Sequence, residues 1–147
     1  NSYPIEIKRF FPDVKVYQEA CPMWVPIVEN NMIDHEGTSL YIKENIDNLL
    51  AQSPKIDTFV LACTHYPVLY PLIRQLTPPH ILIVSQGELV SASLRDYLKR
   101  HPEINNECIK ESEIAIYTTE DEENFNEKAA LFFERTVQAK HISLGLH

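Results

Sequence analysis

The stretch LACTHYPVL at 61–69 closes an apolar run with Cys63 and follows it at once with Thr64, His65 and, two residues on, Pro67. A cysteine acts as base or nucleophile only as the thiolate, and a neighbouring imidazole or the positive end of a following helix favours that form. Such a Cys-His pair can move a proton or attack a carbonyl. The same residues have a plainer reading. Free cysteine is among the most commonly buried residue types, and His65 could cap a helix or satisfy a backbone carbonyl. Residue types alone leave both readings open.

The elements around the motif decide how it is presented. TFVLAC at 58–63 is an apolar run of strand length, as expected for a strand covered on both faces in a parallel sheet. From 66 to 76 the periodicity turns helical through Leu69, Leu72, Ile73 and Leu76, so residues 63–65 fall at a strand-to-helix junction. Ligands of open parallel sheets bind beyond the carboxyl ends of the strands. By the same rule Cys21, residues 85–87 and residues 118–120 are further candidates.

Elsewhere the pattern predicts a helix over 2–11, a strand over 14–21 and a short helix with proline in its first turn after Pro22. A helix over 37–52 follows from Leu40, Ile42, Ile46, Leu49 and Leu50. ILIV at 81–84 reads as a strand, and 88–100 as a helix with Leu89, Ala92, Leu94 and Leu98 on one side. A polar connection over 101–113 leads to a strand at 114–118 and a helix over 122–139 with an acidic first turn. Strands alternating with helices argue for an α/β fold with a largely parallel sheet and right-handed crossovers. TPP at 77–79 marks a boundary between residues 1–78 and 79–147.

Composition narrows the partners. With 44% hydrophobic and 23% charged residues the 147-residue chain can bury a core, which excludes a disordered chain. The net charge of −8, without a Lys/Arg block, offers no footprint for nucleic acid. No apolar run approaches the roughly 18 residues that span a bilayer. Cys21, Cys63 and Cys108 lie far apart with no signal-like start, which points to a reducing cytoplasm rather than a disulfide framework. NSYPIEIKRF begins without Met and enters a helical pattern at once, as expected of a piece of something longer.

DTFVLACTHYPVLYPLI at 57–73 closely resembles the second-cysteine motif of glutamate racemases, in the aspartate/glutamate racemase superfamily, where a strand ends in Gly-Cys-Thr-His-Tyr/Phe-Pro-Leu. CPMWVPIVEN at 21–30 is similar to the family's Phe-Val-Pro-Leu-Val-Glu segment, and NSYPIEI at 1–7 to the Ser-x-x-Tyr upstream of it. SQGELVSASLRDYL at 85–98 and IYTTEDEENF at 116–125 resemble its C-terminal strand-to-helix units. The matches run in order along nearly the whole chain.

The resemblance implies incomplete three-layer α/β/α parallel-sheet units. Residues 1–78 would form most of the second racemase domain, and 79–147 would return to complete the first. It further implies a cofactor-independent, metal-free, two-base interconversion of L- and D-glutamate for peptidoglycan synthesis. Cys63 would be one acid/base cysteine and Thr64 would bind substrate. His65 would assist proton movement and hold a substrate carboxylate. Glu29 would orient or charge-balance His65, a solvated helix-face carboxylate being the alternative. Aspartate racemases usually carry Glu where His65 stands, so glutamate is the expected substrate. Ala62 replaces the usual Gly, and Ser85-Gln86-Gly87 lacks the acidic residue common before Gly87.

The family's other cysteine, in Ala-Cys-Asn-Thr, and its Asp-Ser-Gly are both missing from this sequence. Cys21 is followed by Pro22 and Met23, so packing is its expected role, and Cys108 reads as a loop thiol. The expectation is the C-terminal half of a glutamate racemase, inactive alone and self-associating through exposed apolar surface. Two alternatives stand beside it. A cysteine-dependent hydrolase or decarboxylase would leave a covalent adduct on Cys63, and a non-catalytic binding module would merely pack that residue.

Overall fold

The structure, a computed structural model, describes residues 2–108 and 114–145. Part of the polar connection expected over 101–113 therefore lies outside the described residues. The chain forms two compact units, Asn1–Val84 and Ser85–His147. The division falls a few residues beyond TPP, because the strand that follows TPP pairs with the one before the Cys-Thr-His motif.

The first unit contains α1 (Ser2–Phe10), α2 (Trp24–Glu29), α3 (Thr38–Ala51), β1 (Thr58–Leu61), a 3-10 turn (Tyr66–Leu69), α4 (Tyr70–Leu76) and β2 (Leu82–Ser85), whose last residue opens the next unit. Its core is built from α2, α3, α4 and one face of the β1–β2 pair. On α3 the buried positions Thr38, Ile42 and Ile46 recur every four residues, one stripe of a helix. Leu40, expected to share that stripe, points outward at 71% exposure. Phe59 and Leu61 of β1 meet Ile81 and Ile83 in the same core. The full coverage expected of β1 is not found: its residues alternate, and Val60 is half exposed.

The strand expected at 14–21 does not form. Side chains of α3 and of its C-cap residue take the carbonyls that a neighbouring strand would have used: Gln52 Nε2 donates to Gln18 O at 3.0 Å and Asn45 Nδ2 to Ala20 O at 3.3 Å. Alternation of apolar and polar residues suggests a strand, but a strand also needs a partner. Between α4 and β2, Arg74 bonds three carbonyls, those of Thr77, Pro78 and Ile81, at 2.6 to 2.9 Å, fixing the proline-rich turn.

The second unit contains α5 (Gln86–Arg100), α6 (Pro102–Glu107), β3 (Ile116–Thr118), α7 (Glu122–Phe133) and β4 (Ala139–His141). α6 lies inside the stretch expected to be only a polar connection. β3 and β4 are parallel, with Ile116 opposite Ala139 and Thr118 opposite His141. Asp121 caps α7 by accepting from Asn124 N at 3.0 Å, and the acidic first turn expected there is present. The helix does not reach residue 139. Glu134 adopts a left-handed conformation at φ 51° and ends it, and Val137 and Ala139 are then buried on the way into β4. A three-residue strand carries too little periodicity to be read from sequence.

Candidate active site

The motif is a tight turn pinned at both ends. β1 stops at Leu61, and Cys63 O then accepts from Tyr66 N at 3.2 Å while His65 O accepts from Val68 N at 3.1 Å. Buried Phe59 and Leu61 anchor the entry, and Leu69 and Ile73, both fully buried, anchor the exit. The helix expected directly after the motif begins as the 3-10 turn, with His65 at its N-cap and Pro67 in its first turn. Any help from a helix dipole at Cys63 is therefore confined to one short turn.

Glu29 is the last residue of α2, whose Trp24, Ile27 and Val28 are buried in the same core. Two residues later Asn31 turns left-handed at φ 52°, a conformation Asn tolerates well, and the chain leaves the helix. This packing brings Glu29 back to the motif across 36 positions of sequence. His65 Nε2 lies 2.6 Å from Glu29 Oε1, the length of a charge-assisted hydrogen bond. His65 Nδ1 lies 3.9 Å from Cys63 Sγ, at the reach of a weak sulfur hydrogen bond.

These two contacts assign roles to the ring. An ionised carboxylate only accepts, so Nε2 carries the hydrogen toward Glu29 and Nδ1 presents its lone pair to the thiol. The chain Cys63–His65–Glu29 can thus draw a proton off the sulfur and balance the resulting imidazolium. The His65 and Glu29 side chains are 24% and 37% exposed, so the group lies at the surface of its unit, open to a small molecule. Thr64 is exposed between Cys63 and His65. Of the four residues expected to act together, three are linked by contacts and the fourth adjoins them.

Tyr66 is a neighbour that the sequence reading did not single out, although its place in the motif was the available signal. Its ring meets Trp24 edge to face at 4.7 Å, and its hydroxyl donates to Cys21. Burial, joined by the nearby Cys21 and Cys63 sulfurs, pushes the Tyr66 hydroxyl up to about 12. Burial likewise raises Cys21 to about 11, against the lowering effect of the Tyr66 bond. Cys21 is thus a neutral thiol packed against the core, as expected of it. Cys108 is exposed, with its sulfur 3.4 Å from Ile104 O.

The other strand-end candidates lie in the second unit. Residues 85–87 open α5, and buried Thr118 accepts from Glu120 N through its own hydroxyl at 3.0 Å. Among the described residues no group of three or more His, Cys, Asp or Glu side chains could hold a metal ion, and no helix is long and apolar enough to cross a membrane.

No protein-family model matches the chain. It is 32% identical over 145 residues to the glutamate racemase of Persephonella marina, covering 99% of this chain and 52% of that protein. It is 34% identical over 145 residues to that of Streptococcus pyogenes, covering 97% of this chain and 53% of the relative. Among solved structures, glutamate racemase isoform RacE1 from Bacillus anthracis superposes over 100% of this chain and 54% of its own, with a TM-score of 0.83 at 24% identity. The glutamate racemase from Francisella tularensis in complex with D-glutamate does so with the same coverage and TM-score at 21% identity. The chain spans about half the length of the curated relatives it matches.

Proposed function

Because this chain belongs to the glutamate racemase family, we propose that Cys63 is one of the two acid/base thiols of a cofactor-independent interconversion of L- and D-glutamate. The observation that carries the reading is the Cys63–His65–Glu29 chain of contacts. His65 Nδ1 takes the Cys63 proton while Glu29 balances the imidazolium at Nε2. The thiolate then removes the α-proton from one face of the bound amino acid. A second thiol on the opposite face donates a proton to the planar carbanion, so one proton leaves and one arrives and the configuration inverts.

An α-proton beside a carboxylate is a very weak acid, so base and substrate must be held within hydrogen-bond reach and the developing charge met by donors. Thr64, exposed beside Cys63, supplies its amide and hydroxyl, and His65 contributes to holding a carboxylate. In this reading residues 1–78 belong to the second racemase domain and 79–147 complete the first. The setting is a cytoplasm in which D-glutamate feeds peptidoglycan synthesis.

The second thiol is not Cys21. That residue is engaged with Tyr66 and kept neutral by burial, and its sulfur packs into the core. With Cys108 read as a loop thiol, residues 1–147 alone in this reading lack a base for one face of the substrate. The test compares the chain alone with the chain joined to an upstream segment carrying Ala-Cys-Asn-Thr, followed by the appearance of the opposite glutamate enantiomer. The joined protein should racemise glutamate, and Cys63→Ala in it should abolish the reaction. Racemisation by the isolated chain, or by the joined Cys63→Ala variant, would overturn the proposal.

A further inference from the structure

Two adjacent residues of the motif turn reach the two ends of α2. His65 meets Glu29, its last residue, and Tyr66 meets Trp24, its first. α2 has six residues and no side-chain cap at its N-terminus. A helix that short has no stability of its own, so packing sets where it lies. With about 1.5 Å of rise per residue, the two contacts stand about 8 Å apart along its axis.

The Trp24 end is the anchored one. Trp24 is 4% exposed, and its ring meets that of Tyr66 edge to face at 4.7 Å. Its Nε1 has no hydrogen-bond partner among the described residues, so packing alone holds the indole. Cys21 closes the group: its carbonyl accepts from Trp24 N at 3.2 Å, and its sulfur takes the Tyr66 hydroxyl. Tyr66 N in turn donates to Cys63 O at 3.2 Å. The Glu29 end lies at the surface of the unit, and its contact is sensitive to position. A shift of about 1 Å carries a carboxylate oxygen now 2.6 Å from His65 Nε2 out of hydrogen-bond range.

We propose that Tyr66, through its ring contact with Trp24, is a positioning residue for the His65–Glu29 relay to Cys63, an inference that rests on the reading of Cys63 as an acid/base thiol. Alkylation by iodoacetamide, followed at the Cys63 peptide of the 147-residue chain, reads this without any need for racemisation. Tyr66→Leu keeps an apolar side chain but loses the edge-to-face contact, and should slow the reaction at neutral pH about threefold to tenfold. Tyr66→Phe keeps the ring and loses only the hydroxyl, and should react at the wild-type rate. At about pH 10, where a thiol ionises without a base, the slowing should vanish, whereas a change of access to Cys63 would persist there. In a Glu29→Gln background Tyr66→Leu should add less than about twofold, because both act on one relay.

Circular dichroism and the thermal transition report whether each variant folds, and Tyr66→Met, which fills irregular space, replaces a Leu variant that does not. A folded Tyr66→Leu chain alkylated at the wild-type rate, an equal slowing in Tyr66→Phe, a slowing that persists at alkaline pH, or full additivity with Glu29→Gln would each overturn the proposal. A Glu29→Gln chain alkylated at the wild-type rate removes the relay itself, and the proposal falls with it.

Discussion

Glu29 Oε1 lies 2.6 Å from His65 Nε2, and this contact joins the end of α2 to the turn after β1. Its consequence is chemical rather than architectural, since it leaves Nδ1 of His65 as the acceptor facing Cys63. Glu29→Gln keeps a hydrogen-bond acceptor but removes the charge that balances an imidazolium. Alkylation of Cys63 by iodoacetamide at neutral pH should slow by roughly 10-fold or more, with little change in the thermal transition. An unchanged alkylation rate would show that the carboxylate is only a solvated helix-end charge.

Cys63 and Cys21 should separate kinetically. The raised value of Cys21, about 11 against 9.0 for an ordinary thiol, leaves about a hundredfold less thiolate at pH 8. Timed alkylation followed by peptide mass spectrometry should label exposed Cys108 and half-exposed Cys63 well before Cys21. Equal labelling of Cys21 and Cys63 would contradict the packing described for Cys21.

The same group shapes alkaline stability. Cys21 and Tyr66 are both raised in the folded chain, so each contributes stability that is fully present below its unfolded value and is lost as pH rises through the folded one. The window runs from about pH 9 to about 12. Denaturant midpoints should fall across this range, and Cys21→Ala should make the fall shallower. A parallel decline in wild type and variant would remove Cys21 from the account.

The core carries its own contrast on a single helix. Ile42 is fully buried and Leu40, two residues earlier, is 71% exposed. Ile42→Ala should cost about 2–5 kcal/mol in chemical denaturation, and Leu40→Ala should stay within about 0.5 kcal/mol apart from propensity effects.

Arg74 should be irreplaceable by lysine. Its guanidinium reaches three carbonyls at once, through Nη1 to Ile81 and Nη2 to Thr77 and Pro78. A lysine has one nitrogen at the tip and cannot span them. Arg74→Lys should lower stability by about 1–3 kcal/mol, close to the effect of Arg74→Ala. Full stability in the lysine variant would mean that the turn is held by its prolines.

The sequence by itself determined the long helices, the strand-to-helix junction at residues 63–65, and the packing role of Cys21. Local periodicity and nearby residue types suffice for these. It also pointed to Glu29, but only through resemblance to a family, because no local rule relates residues 36 positions apart. The contact is made by packing, as Ile27 and Val28 seat α2 in a core shared with β1 and α4. Elements that depend on a partner were not legible in the sequence. Residues 14–21 alternate like a strand, yet Asn45 of α3 and Gln52 at its C-cap take up the carbonyls of Ala20 and Gln18, and β4 forms because β3 offers it a ladder. Tertiary structure alone decided that His65 turns one nitrogen to Glu29 and the other to Cys63. The direction of a ring is fixed by what surrounds it, and its surroundings come from distant parts of the chain.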